Sequence, residues 1–286
     1  MKLTIDLFFK DNPSKLFITI ISTLLFFYSY PASFSFERGN SDLLALLFIT
    51  LFMYAFKKDK KFASVIALTI ATQLKIYPLF LIFVFFNKKD YKYFIYYGVI
   101  NFILLFTAGL TPLKFFFLSL TSVGSEPYVW AGNHSLHSFL KLLGMSFNIS
   151  DQLFKILYIS IAVVLILVWI KSLAAINRHT RGFINFIINS LVIACLLTPV
   201  SHDYKLVILF PMLVVDLIYS YEYEKRGIML LGIKFFAFAS LLFSLNHGLF
   251  FYNTKFLPLI IIYMNINLCK MNYFNLSVPQ DKYSSV

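Results

Sequence analysis

Pro199-Val200-Ser201-His202-Asp203-Tyr204-Lys205 carries the sharpest chemical pattern in the chain. It is a very short turn between two apolar runs, so its side chains are held by rigid elements with little room to wander. A histidine beside a carboxylate and a lysine can orient a general base or bind a phosphate. A solvated turn with an aspartate helix cap is the plainer alternative. Glu37-Arg38-Gly39-Asn40-Ser41-Asp42 is a second constellation, joining acid, base and amide at the start of an apolar run. Arg38 has the fork to hold a phosphate by two hydrogen bonds, and Gly39 lets backbone approach a ligand closely. Interfacial anchoring plus a helix cap from Asn40 or Ser41 fits the same residues. Asn133-His134-Ser135-Leu136-His137 opens a short amphipathic stretch. His134 and His137 at i, i+3 could share a face and hold a metal, but no third ligand is evident and there is no Asp-x-Asp pair. An N-cap with exposed histidines, or a contact to a sugar hydroxyl, suits it better. Tyr128 and Trp130 offer rings that could stack on a sugar.

The elements that must position these groups are membrane helices. The 286 residues are 59% hydrophobic, 19% aromatic and only 13% charged, with a mean hydropathy of +0.78. That composition excludes a soluble domain and describes an all-α, polytopic membrane protein. The net charge of +12 would suit nucleic acid, but the lysines sit in short loops between apolar runs. They read as topology determinants and contacts to anionic lipid, with no nucleic-acid partner. Cys195 and Cys269 fall in apolar runs, so no disulfide framework is expected.

Eight spans are expected: 16–30, stopped by Pro31, then 43–56, 93–109, 153–170, 183–197, 204–219, 228–245 and 256–268. Together with the cytoplasmic N-terminus 1–15 and the polar tail 271–286 they make a single membrane domain. The stretch 31–42 reads as a loop. Within a long external loop, 110–152, residues 112–120 form a short apolar surface stretch and 135–143 a helix stopped by Gly144.

The stretch 62–86 is different. It is long and apolar, yet it holds Gln73-Leu74-Lys75-Ile76-Tyr77-Pro78 at its middle. Lysines flank both ends, Lys57, Lys58, Lys60 and Lys61 on one side, Lys88, Lys89 and Lys92 on the other. Pro78 breaks the helical pattern. A re-entrant hairpin with Lys75 near its tip keeps both lysine clusters cytoplasmic, as the positive-inside rule requires. It leaves 17 lysines and arginines inside and 6 outside, namely Arg38, Lys114, Lys141, Lys155, Lys205 and Lys255. A full crossing would give 12 and 11 and erase the bias. A lysine at membrane depth marks a functional site by default. The alternative is a kinked span whose lysine pairs with a carbonyl. With the hairpin, the turns at 31–42, 110–152, 199–203 and 246–255, which gather Glu37, Asp42, His134, His137, His202, Asp203 and His247, all fall on the external face.

Four of these pieces, in this order, resemble glycosyltransferase family 87. They are Tyr30-Pro31 followed by Arg38-Gly39-Asn40-xx-Asp42-Leu43-Leu44, then Leu74-Lys75-Ile76-Tyr77-Pro78-Leu79, then Asn133-xx-Ser135-Leu136, then Ser201-His202-Asp203-Tyr204 before a span containing Pro211. The resemblance covers about residues 30–219. It implies a membrane enzyme of the GT-C superfold, acting in cell-envelope glycan synthesis. Such an enzyme moves a mannose-like hexose from a polyprenyl-phosphate donor to a glycan or glycolipid acceptor on the external face, usually without a metal or other cofactor. His202 and Asp203 match the family's active-site turn, and Arg38 and Asn40 its external loop. Family members begin with a span and a large external loop bearing the presumed catalytic base. Here only residues 1–15 precede the first span, so the chain looks like the family minus its amino-terminal portion.

On this reading the catalytic residues are Asp203 or Glu37 as base, with His202. The substrate-binding residues are Arg38, Asn40, Asp42, Lys75, Tyr77, Asn133, His134, Tyr204 and Lys205. The alternative is a non-catalytic membrane protein, either a transporter of lipid-linked sugar or a partner subunit of a second transferase, a reading the short amino-terminal portion favours.

Overall fold

The structure is a computed structural model that describes residues 1–9, 13–87, 90–107, 109–125, 132–174, 176, 180–222, 228–242 and 255–268. Glu126, Tyr128, Trp130, Lys88, Lys89, Cys269 and the tail 271–286 lie outside those residues. The protein is 86% helical with no strand among the described residues. That is the outcome expected of an apolar chain whose backbone must satisfy its own hydrogen bonds away from water.

The helices are α1 (Lys2–Phe8), α2 (Lys15–Tyr28), α3 (Tyr30–Glu37), α4 (Asp42–Lys57), α5 (Lys61–Leu74), α6 (Phe83–Asn87), α7 (Tyr91–Thr107), α8 (Leu110–Ser125), α9 (Leu136–Phe147), α10 (Asp151–Leu173), α11 (Thr180–Leu197), α12 (Phe210–Glu222), α13 (Ile228–Leu242) and α14 (Phe256–Leu268). Short 3-10 segments, Tyr77–Ile82 and Asp203–Leu209, lead into α6 and α12. Three helical stretches are long and apolar enough to cross a bilayer: Asp151–Leu173, Thr180–Leu197 and Asp203–Glu222. Counting each of two bent helix pairs as one span raises the number to five.

The core is built around α11. Every residue from Arg181 to Leu196 is buried, the mark of a helix that is apolar on all sides and enclosed by others. It packs against α10, α12, α14 and the Tyr77–Ile82 segment. By contrast α10 has few buried residues and presents most of its surface outward. Where hydrocarbon surrounds it, that surface needs no further partner.

Pro31 begins a helix instead of ending one. Ser29 is extended at φ −72°, ψ 140°, and its side chain accepts the Ala32 amide, so α3 starts with Pro31 in its first turn. Proline is favoured there because its missing N–H has no partner to lose. The segment expected to be a loop from Pro31 is therefore helical to Glu37, bent 56° from α2. Gly39, at φ 58°, ends α3: the Asn40 amide returns to the Ser35 carbonyl at 3.0 Å and the Gly39 amide to Phe36 at 3.1 Å. That double closure needs the left-handed region, which glycine enters without penalty. In α9 the roles differ from expectation. Gly144 lies inside the helix, and Asn148 in the left-handed region ends it.

The stretch 62–86 folds back on itself. Helix α5 runs about 21 Å, and the 3-10 segment with α6 returns about 20 Å. The two limbs match in length, and Lys61 Nζ meets Asp90 Oδ2 at 2.5 Å. Both limbs are shorter than a hydrocarbon core of about 30 Å. The break between them is forced by Pro78, and Lys75 sits in it with extended backbone, φ −150°, ψ 135°.

The bundle has two polar ends. Lys57 Nζ reaches Thr180 Oγ1 at 3.5 Å, close to the Lys61–Asp90 pair at the base of the hairpin. Helices α4 and α11 each connect that end to the other, where Asp42, Lys75 and the Pro199–Lys205 turn gather.

Candidate functional site

The turn after α11 is fixed by side chains from the loop before α9. Asn133 is fully buried. Its Nδ2 donates to the Pro199 carbonyl at 3.0 Å, and its Oδ1 accepts the amides of Ser201 at 2.9 Å and Ser135 at 3.1 Å. The His134 amide donates to the Ser201 carbonyl at 2.7 Å. Ser135 caps α9 by accepting the Ser138 amide, while its hydroxyl donates to Pro199. These bonds hold two segments separated by more than sixty residues in one register. Asn133 thus serves as a backbone staple. His134, expected to be exposed, is turned inward and 2% exposed.

That inward turn builds the first charged cluster. His134 Nε2 lies 3.1 Å from Asp203 Oδ1, and Lys255 Nζ pairs with the same oxygen. Burial lowers the His134 pKa, and the Asp203 carboxylate opposes that shift. Burial thus favours the neutral ring, which lies against the carboxylate. Burial also lowers the Lys255 ammonium, with Asp203 working against it. Among the described residues both contacts fall on Oδ1.

The second cluster centres on Asp42, 1% exposed at the start of α4. Its Oδ1 accepts the Tyr77 hydroxyl at 2.5 Å and its Oδ2 meets Lys75 Nζ at 3.1 Å. Ser41 holds the N-cap position of α4 without a side-chain bond, and the Asn40 side chain accepts the Asp42 amide at 3.2 Å. Lysine at the hairpin tip thus meets a carboxylate, not a backbone carbonyl.

Between the clusters lies an aromatic shelf rimmed by cations. Tyr30 stacks on Phe34 at 5.4 Å, Phe34 on Tyr204 at 6.0 Å, and the His202 ring lies 5.2 Å from Tyr204. Lys255 sits over Tyr30 at 4.9 Å, Arg38 over Phe34 at 5.0 Å and Lys75 over Tyr204 at 5.7 Å. His202 is half-buried, its Nδ1 3.3 Å from the Gly132 carbonyl, and burial lowers its pKa. Aromatic rings with cations packed over them suit a ligand that carries negative charge.

The structure brings Asp203, His202, His134, Asn133, Asn40, Asp42, Lys75, Tyr77, Tyr204, Lys205 and Arg38 to one end of the bundle. Glu37 stands apart, exposed at the last turn of α3. Lys205 is only 5% exposed, and its ammonium donates to the Ala194 carbonyl at 2.8 Å and to Thr198 Oγ1 at 2.5 Å. It is not the open phosphate ligand the sequence suggested. His137 packs edge-on against Phe154 and Tyr158, away from His134's partner. No group of three metal-ligating residues occurs among the described residues. Sequence reasoning missed Lys255 as a site residue, along with Tyr30 and Phe34. The one available signal was that Lys255 stands directly before the last apolar run, level with the other external turns.

A model of glycosyltransferase family 87 matches residues 3–199. The chain belongs to glycosyltransferase family 87. The match includes Arg38, Asp42, Lys75, Tyr77 and Asn133 and stops at Pro199, so the family assignment is independent of the His202-Asp203 pair. No curated protein and no solved structure matches the chain.

Proposed function

We propose that this family 87 member transfers a mannose-like hexose from a polyprenyl-phosphate donor to a hydroxyl of a glycan or glycolipid on the external face of the cell membrane. The observation that carries the reading is the convergence of Asp203, His134 and Lys255, from three separated segments, beside an aromatic shelf edged by cations. Asp203 takes the proton of the acceptor hydroxyl while the oxygen attacks the anomeric carbon. A new carbon–oxygen bond forms as the bond to the donor phosphate breaks, and the lipid phosphate leaves with the electron pair. Arg38 and His202 border the shelf and offset that developing charge, with Lys75 behind them. The buried Asp42–Tyr77 pair orients Lys75 from behind the shelf. Asp203 fits the role of base better than Glu37, because a base must be positioned before its pKa matters. The lysine-rich opposite end supports an external site through the positive-inside rule.

The test is transfer of labelled mannose from polyprenyl phosphate by the purified chain in liposomes. Asp203→Asn is expected to lower the rate by about a hundredfold or more, and Glu37→Gln to leave it within about twofold. Transfer that persists in Asp203→Asn removes Asp203 as base. The pairing of Lys255 on the carboxylate also suits a non-catalytic chain that supports a second transferase. Co-purification with such an enzyme, and no transfer by the chain alone, decides for that reading.

A further inference from the structure

Two lysine–tyrosine contacts cross between the hairpin tip and the turn, in opposite senses. Lys75 of the tip lies 5.7 Å from the ring centre of Tyr204 in the turn. Lys205 of the turn lies 4.8 Å from the ring centre of Tyr77 in the tip. Each lysine also has a polar anchor in its own neighbourhood: Lys75 on Asp42 Oδ2 at 3.1 Å, Lys205 on Ala194 and Thr198. Those last two belong to the carboxyl end of α11, where helix carbonyls carry partial negative charge. Tyr77 in turn donates its hydroxyl to Asp42, and Asp203 is two residues from Lys205.

We infer that Lys205 is a positioning residue: it locks the hairpin tip to the Pro199–Lys205 turn, so that Asp42 and Asp203 are held in one frame. A buried ammonium is costly unless its protons are satisfied. Two of the three donate to oxygen at the end of α11, and the charge faces an aromatic ring, where a cation is attracted to the negative face. An ammonium held in this way, 5% exposed, is turned away from a lipid phosphate. Its effect reaches the chemistry through Tyr77 and the backbone it fastens. The crossing of the two pairs means that neither segment can shift without breaking a contact made by the other.

This inference rests on the transferase reading for its kinetic consequence but not for its structural one. Lys205→Gln keeps hydrogen-bond donors for Ala194 and Thr198 and removes the charge. It is expected to lower kcat by about tenfold while the KM for polyprenyl-phosphate-mannose stays within about twofold, and Lys205→Arg is expected to recover much of that loss. A rise in donor KM of about tenfold with kcat intact would make Lys205 a phosphate ligand and overturn the proposal. Independently of activity, thermal unfolding of Lys205→Gln, Tyr77→Leu and the double variant in detergent tests the lock. The expected result is coupling of about 2 °C or more, the double change costing less than the two single ones together. Strictly additive shifts overturn it. If the wild-type chain transfers no sugar, the transferase reading fails, and the unfolding cycle alone decides whether the lock exists. Should Lys205→Gln not fold, the parallel cycle of Lys75→Met with Tyr204→Leu gives the same decision from the other crossing pair.

Discussion

Asp203 is held by partners of two kinds, an imidazole whose Nε2 lies 3.1 Å from Oδ1 and an ammonium that supplies charge. Lys255 is nearly buried, so removing either partner leaves a poorly solvated charge behind. Lys255→Met is expected to destabilise the protein by about 2 kcal/mol. Asp203→Asn in the same chain should recover part of that loss, which thermal unfolding of the single and double variants measures. Equal and additive losses would mean that the two groups do not depend on one another. Asp203 and His202 were legible in the sequence because the turn that holds them is contiguous and too short to rearrange. Lys255 was not, since it meets Asp203 from 52 positions away, and only the packing of α14 brings it there. His134 was misjudged for a local reason. Asn-His-Ser before an apolar run reads as a solvent-facing cap, yet Ser135 alone caps the helix, and the staple made by Asn133 turns the histidine inward.

At the scale of helices, apolar runs reported the existence of elements well and their ends poorly. The expected spans 43–56, 153–170 and 183–197 are helices α4, α10 and α11, lengthened by a few residues. The errors fell at Pro31 and Gly144, where one residue type serves opposite purposes: proline can open a helix as readily as stop one, and glycine can lie within one. Among the described residues four chain turns hold a residue with positive φ, Gly39 at 58°, Asp59 at 57°, Gly109 at 90° and Asn148 at 52°. At Gly39 a side chain would meet nothing within 4 Å, so only the backbone resists substitution. Gly39→Ala is expected to cost about 1 kcal/mol. Asp59 ends α4 by the same double closure, its own amide returning to Phe56 and the Lys60 amide to Ala55. Asp59→Gly is therefore expected to stabilise by up to about 1 kcal/mol, the two variants moving the unfolding temperature in opposite directions. A shift of the same sign in both would show that the left-handed conformation is not what these positions require.

Across the molecule, lysine clusters mark one end of the bundle, and the described histidines His134, His137 and His202 lie towards the other. Burial lowers the pKa of His134, His137 and His202. All three are neutral in both folded and unfolded chain well above pH 6.5, so they contribute no pH dependence there. As pH falls below about 6.5 the unfolded chain takes up protons that the folded chain resists, and stability declines. The limiting slope is about 1.4 kcal/mol per pH unit for each such proton. Unfolding measured between pH 7.5 and 5.5 should show this decline, with a shallower slope in His134→Gln. An unchanged slope would mean that His134 does not resist protonation. Charge bias alone pointed to a fold-back at 62–86, because a strong physical rule acts on lysines wherever the helices pack. The inner order of the bundle was not, since nothing in the apolar pattern of α11 says that it is enclosed and α10 is not.

The arrangement as a whole depends on the Lys61–Asp90 end and the Asp203 end facing different compartments. Single cysteines at Asp59, Asp90 and Ser125, in a chain whose own Cys195 and Cys269 are serine, can be labelled with an impermeant thiol reagent from either side of the membrane. Positions 59 and 90 are expected to react from the same, cytoplasmic side, and position 125, in the stretch read as an external loop, from the external side. Labelling of 59 and 90 from opposite sides would turn the hairpin into a crossing and separate the residues assigned here to one site.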